Sequence, residues 1–256
     1  MLAGAAPILI VAHPGHELRL FHWMELTRPT VFVLTDGSGG GAKKRTPYSR
    51  HVVEAAGARC GHFFGAAPDR DWYDLILHGD ATAFHDVVDA AVGAALAQSA
   101  QLIVTDAVDG YNPMHDICAA IGAAVVARLR HSAPKAEHLV SRAVAGRGED
   151  FAHELVLDSD AAKRKRGTVK AYQPIAEEVR RLLDEEPNAL DIERLERPTF
   201  AWPEVWRPQW EEIGRDRVAL SRYRQPIEYT KHVLPLARAL LAAAEPATEE
   251  VRNCAS

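Results

Sequence analysis

The chain has 256 residues, 47% hydrophobic and 25% charged, with 30 Lys and Arg against 35 Asp and Glu for a net charge of -5. That length suits one α/β domain with an appendage, and the acidic balance argues against a nucleic-acid backbone and for a small molecule as partner. Cys60, Cys118 and Cys254 are odd in number and widely spaced, which fits neither a disulfide framework nor a CxxC metal knuckle and points to reduced thiols in a cytoplasm. No apolar run approaches the roughly 20 residues that cross a bilayer, so no membrane partner is expected. A homo-oligomer is compatible with all of this, and the oligomeric state stays open.

In chain order, the opening MLAGAAPILIVAHPG lacks a basic leader region and runs straight into a polar motif, so it reads as a first strand over Ile8–Ala12 and not as a signal peptide. Further β-branched runs follow at Val31–Thr35, Arg59–Phe64, Leu102–Thr105, Leu139–Val144 and Glu154–Leu157. Between them, Asp80–Gln98 and His115–Arg130 carry apolar residues at helical spacing. Strand and helix in alternation predict a Rossmann-like α/β fold, a mostly parallel sheet with helices on both faces. Beyond about Ser159 the chain turns charged, then rich in Pro and Trp over 187–209. This predicts a metal-binding domain over 1–160 and a small helical and irregular C-terminal extension over 161–256 packed on the same domain. The residues after Pro246 show no packing pattern and are expected to fray.

In an open α/β sheet, ligands sit outside the carboxyl ends of the strands. Those ends carry HPGHE after the first strand, DGSGGG after the second and DAVDGYNPMHD after the fourth. His13 and His16 bracket Pro14 and Gly15 where a strand must turn into a helix, Pro14 suiting the first helical position. Their imidazoles can converge there on one ion, and His115 is placed to supply a third ligand. The chain has 12 histidines, and the other nine read as surface or capping residues. The glycines at 37 and 39–41 lack the order of a phosphate-binding loop and read as a flexible rim. Lys163–Arg166 reads as an exposed helix face, and Trp202, Trp206, Trp210 and Tyr223 as the core of the extension, with stacking on a flat substrate as the alternative.

With these residues in view, the chain resembles the PIG-L or LmbE-like family of zinc-dependent N-acetylglucosaminyl deacetylases. The resemblance lies in AHPGHE (12–17), TDGSGG (35–40), the Arg50 and Glu54 pair, GYNPMHD (110–116) and WEEIGRDRV (210–218). It implies Zn²⁺, with Fe²⁺ or another divalent ion as alternatives, on His13, His16 and His115, His16 standing where the family has a ligating Asp. It implies hydrolysis of an N-acyl group, chiefly acetyl, on an amino sugar or related polar metabolite. It also implies that Arg50 points at substrate, although Arg50 and Glu54 read equally as a surface ion pair. Asp36 is the second candidate substrate-binding residue and reads also as a turn former.

Gly15 departs from the family's AHPDDE motif: it stands where the family has the Asp that acts as general base, and glycine cannot move a proton. Replacement bases could come from Glu17, Asp36, Asp106, Asp109 or Asp116. Asp106 and Asp109 are favoured as catalytic residues because they end the fourth strand on the rim of His115. Glu17 could instead stabilise a helix start, and Asp116 could cap a helix or orient a ligand. Two rivals follow from Gly15: a non-hydrolytic reaction on a biosynthetic intermediate at the same metal, or a non-catalytic small-molecule-binding protein.

Overall fold

Hydrophobic alternation translates directly into layers. In β1 (Ile8–Val11) and β2 (Thr30–Thr35), Ile8, Ile10, Phe32 and Leu34 face one side while Leu9, Val11, Val31 and Val33 face the other, all buried, as the period of two in a strand requires. The computed structural model describes residues 5–39, 43–143, 151–221 and 224–244. Val144, the glycines at 40 and 41, Tyr223, Cys254 and the tail after Pro246 lie outside the described residues.

The elements continue as α1 (Phe21–Thr27), α2 (Thr46–Ala55), β3 (Arg59–Ala67), α3 (Asp69–His78), α4 (Thr82–Ala97), β4 (Leu102–Asp106), α5 (Pro113–Leu129), β5 (Glu137–Ser141), β6 (Phe151–Val156), α6 (Ser159–Ala171), α7 (Ala176–Glu185), β7 (Ile192–Glu196), α8 (Gln209–Ala219) and α9 (Leu234–Ala242). The strands form a sheet in the order β3-β2-β1-β4-β5-β7-β6. Its first five strands pair in parallel, and β7 pairs antiparallel with β5 and β6. Residues of α3, α4, α5 and α9 join one apolar cluster and residues of α1, α2 and α6 the other, so helices cover both faces. The chain runs outward from β1 to β2 and β3, then returns to β4 beside β1. That reversal is a topological switch point, where such sheets open a crevice for ligands.

The sequence after 160 supplies more of this body than its composition suggested. Strand β7, which no apolar run announced, inserts between β5 and β6, and α9 packs with α5 in the first core cluster. The expected charged helix is two helices, α6 and α7, separated by a 3₁₀ turn at Gln173–Ile175, because Pro174 cannot donate the backbone bond that would carry α6 onward.

One residue of the basic run is buried, against expectation. Lys165 Nζ meets Glu193 Oε1 at 2.9 Å with both side chains 0% exposed, and also donates to the Arg19 carbonyl at 2.9 Å. Glu193, on β7, accepts the His22 and Trp23 amides at 2.9 and 2.7 Å. A buried pair is tolerated only when its remaining hydrogen bonds are met, and removing one partner leaves the other charge stranded. Lys165→Met is therefore expected to cost about 3–5 kcal/mol in urea unfolding. Adding Glu193→Gln should recover only part of that: the stranded charge is gone, but the carboxamide oxygen can accept just one of the His22 and Trp23 amides and its NH2 meets the other. Equal stability of K165M and the wild type would contradict this role.

Candidate metal centre

Strand β1 ends at Val11, and the chain turns through Pro14 and Gly15 into a 3₁₀ helix over His16–Leu20. A helix follows the strand as expected, but Pro14 lies ahead of its first position and not on it, and the α-helix starts only at Phe21. Gly15 adopts φ +112°, ψ -21°, a conformation L side chains rarely reach. A Cβ built there would meet Ile175 Cδ1 at 3.3 Å and Tyr172 Cζ at 3.7 Å. The turn is held by Glu17, whose Oε2 accepts the Gly15 amide at 2.8 Å and whose Oε1 accepts from Ser49 Oγ. Burial raises the Glu17 carboxyl above its usual range, opposed by these hydrogen bonds.

His115 lies in the first turn of α5, behind an Asn112 cap whose side chain accepts the Met114 amide. Because β1 and β4 are neighbours, the loops after them bring His13, His16 and His115 together. Their ring centres are 5.3 Å (13 to 16), 5.2 Å (13 to 115) and 4.6 Å (16 to 115) apart, all edge to face.

Each ring is gripped at Nδ1 by a carboxylate. His13 Nδ1 lies 2.9 Å from Asp69 Oδ1 and 2.9 Å from Thr35 Oγ1, His16 Nδ1 is 2.9 Å from Asp106 Oδ2, and His115 Nδ1 is 2.7 Å from Asp109 Oδ2. An ionised carboxylate only accepts, so it places the ring proton on Nδ1 and leaves Nε2 as a lone-pair donor. His13 Nε2 is buried with no hydrogen-bond partner, an arrangement that costs free energy unless something binds it.

The electrostatics favour neutral rings at His13 and His16. Burial lowers the His13 pKa, with the neighbouring His115 charge acting in the same sense and Asp69 opposing. Burial lowers His16 well below the usual imidazole range, helped by His13, Arg45 and Arg19. Burial acts to raise Asp69, but its bond to His13 outweighs this and holds it at about 2. Asp109 is also lowered: burial opposes, and His115 prevails. Asp106 is raised to about 6 by burial, against the pull of His115 and the Ala12 amide.

This donor set suits a divalent ion. Three imidazoles bound tetrahedrally through nitrogen at about 2.0–2.1 Å would have ring centres roughly 5 Å apart, close to the separations observed. A carboxylate on the far nitrogen of each ring is the usual support for histidine ligands. Among the described residues, no group of three or more His, Cys, Asp or Glu side chains has its donor atoms set to hold a metal ion as they stand, so the rings of the trio would have to adjust to bind one. The trio provides ring placement, proton placement and an unsatisfied buried nitrogen.

The other sequence candidates fall elsewhere. Asp106 and Asp109 reach the trio, but Asp106 Oδ2 also takes the Ala12 amide at 2.7 Å and Asp109 Oδ1 the Tyr111 amide at 2.9 Å. Asp116 accepts the Asp109 and Gly110 amides on Oδ1 and the Trp210 indole on Oδ2. Asp36 makes a turn, its Oδ1 accepting the Ser38 amide at 2.9 Å, while Lys44 Nζ approaches Oδ2 at 3.4 Å without hydrogen-bond geometry. Arg50 is exposed on α2 with its guanidinium 5.0 Å from the centre of the Phe64 ring, and is not brought to the trio. Trp206 packs between Phe200 and Tyr229, and Trp202 against Phe200. His138 is a core histidine, bonded to Thr105 Oγ1 at 2.9 Å and pushed down to about 4 by burial. Asp69 was missed by sequence reasoning: it follows β3 at the start of α3 in PDRDW, where an acidic helix start reads as ordinary.

Because the turn is shaped around glycine, Gly15→Ala is expected to cost about 1–3 kcal/mol in chemical denaturation, and Gly15→Asp at least as much. Unchanged stability in both would show that this backbone relaxes freely.

No protein-family model and no curated protein matches the chain. Among solved structures it is similar to the A40926 pseudoaglycone deacetylase Dbv21, at 15% identity over 76% of this chain and 97% of that one with a TM-score of 0.47. It is also similar to a triple mutant of the deacetylase Orf2*T of the teicoplanin biosynthetic pathway, at 14% identity over 76% and 100% with a TM-score of 0.44. A third is the zinc-inhibited form of teicoplanin deacetylase Orf2, at 12% identity over 83% and 94% with a TM-score of 0.40. Likenesses this distant carry no argument about what this chain does. Among the described residues, no helix is long and apolar enough to cross a membrane.

Proposed function

We propose that His13, His16 and His115 hold a divalent ion, zinc first, and that the protein is a hydrolase removing an N-acyl group from an amino sugar or a related small polar metabolite. The observation that carries the ion is the trio itself: three adjacent imidazoles, each with a carboxylate oxygen against Nδ1, and His13 Nε2 buried and unsatisfied. The acyl substrate rests on the AHPGHE and GYNPMHD resemblance.

A divalent ion at this place supplies Lewis acidity toward an acyl carbonyl and toward water. The protein's own part is to fix the rings. Asp69, Asp106 and Asp109 keep the Nδ1 protons in place, and Glu17 with Ser49 holds the turn that presents His16. We assign Asp106 and Asp109 to this positioning and not to proton transfer with substrate, since each already accepts from a histidine and from a backbone amide. A second reading, a non-hydrolytic reaction at the same ion, is favoured by Gly15, which puts no side chain at the family's base position and holds a backbone, φ +112°, that strains any side chain placed there.

Elemental analysis is expected to find about one equivalent of metal in the wild type, lost in His13→Ala and His115→Ala, and acetate released from N-acetylated sugars by the loaded protein only. Metal without any amide hydrolysis would move the assignment to the second reading. A wild type that takes up no metal after reconstitution would sink both.

A further inference from the structure

We propose that Trp210 is a positioning residue of the His115 arm of the site, acting through Asp116 and the turn at Asp109 and Gly110. The proposal rests on the three-imidazole reading above. Trp210 stands in the first turn of α8, far along the chain from the trio, and is 4% exposed. Its indole Nε1 donates to Asp116 Oδ2 at 2.7 Å. Asp116 is fully buried one residue after His115, and its other oxygen accepts the amides of Asp109 at 3.0 Å and Gly110 at 3.2 Å. The carbonyl of Gly110 in turn accepts the Trp210 backbone amide at 2.9 Å. The turn that carries Asp109 is thus held by its amides and by its carbonyl, and both holds lead to Trp210.

Gly110 completes the clamp. It sits at φ +68°, and a Cβ there would come within 3.0 Å of the Trp206 ring, so the turn lies flat against the aromatic segment. With its backbone fixed, Asp109 can aim only one way: Oδ1 takes the Tyr111 amide and Oδ2 takes His115 Nδ1 at 2.7 Å. The carboxylates behind the other two rings are steadied by nearby loops, Asp69 by the Gly39 amide and Asp106 by the Ala12 amide. The His115 arm reaches into the C-terminal part of the chain, which makes residues 206–210 a working part of the centre.

Removing the indole N–H leaves a buried Asp116 oxygen without its donor and frees that carboxylate to turn, which loosens Asp109 and with it His115. Groups behind a histidine ligand change metal affinity by about tenfold to a hundredfold when lost. Trp210→Phe keeps an aromatic ring and removes the donor. Trp202→Phe, at a ring that packs on Phe200, is the control for loss of indole packing.

The experiment titrates metal-free full-length protein with Co²⁺ against a chelator, following the visible ligand-field bands, with the thermal midpoint of each metal-free variant recorded beside it. W210F is expected to bind about tenfold to a hundredfold more weakly than the wild type with altered band intensities, while W202F binds as the wild type does. Equal affinity in W210F and W202F would overturn the proposal while leaving the trio intact as a metal site. A wild type that binds no Co²⁺ would overturn the site reading and this proposal together. Should W210F fail to fold, the wild type decides by NMR. The Trp210 indole N–H resonance must shift on metal loading while that of Trp23, on α1, stays in place, and an unmoved Trp210 signal overturns the proposal.

Discussion

A carboxylate set against each histidine Nδ1, by hydrogen bond at His16 and His115 and by ion-pair contact at His13, is the constraint on which the rest of this site depends. It fixes the tautomer, the ring plane and the side from which each imidazole can give its lone pair. It also explains where the acidic residues went: Asp69 from the start of α3, and Asp106 and Asp109 from the end of β4 and the loop after it, each have a ring on one oxygen. The sheet makes this possible, because β1 and β4 pair as neighbours and their following loops face one another across the switch point.

Glycine at position 15 sets a second limit. With φ at +112° and Ile175 and Tyr172 packed beside it, the turn between the first two histidines strains any side chain, including the one that the resembling family uses as a base. The structure has settled around that absence: Tyr172 bonds to Ser49, and Ser49 to Glu17, which holds the Gly15 amide. A carboxylate restored at position 15 would work against this packing. Chemistry at the trio must therefore draw its proton acceptor from outside the position where the motif would have put it.

Much of this was legible in the sequence, and the remainder was hidden for physical reasons. Runs such as ILIV and TVFVLT announce buried parallel strands because both faces are apolar, and polar motifs at their ends mark the rim, which is how His13, His16 and His115 could be singled out. Strand β7 could not be read in the same way: IERLE carries Glu193, whose burial depends on Lys165 from α6 and on the amides of His22 and Trp23. The same pairing hid Lys165, which sits in a basic run that otherwise reads as a solvated face. Asp69 and Trp210 were illegible as partners of the trio because their roles arise from contacts far apart in sequence. Arg50, suggested only by resemblance, lies over Phe64.

If His13, His16 and His115 share one ion through Nε2, X-ray absorption at the metal edge of the loaded protein must show a shell containing three imidazole nitrogens at about 2.0–2.1 Å for zinc, with the outer-shell scattering that marks histidine rings. A shell containing sulfur, or oxygen and nitrogen scattering without the imidazole pattern, would contradict it.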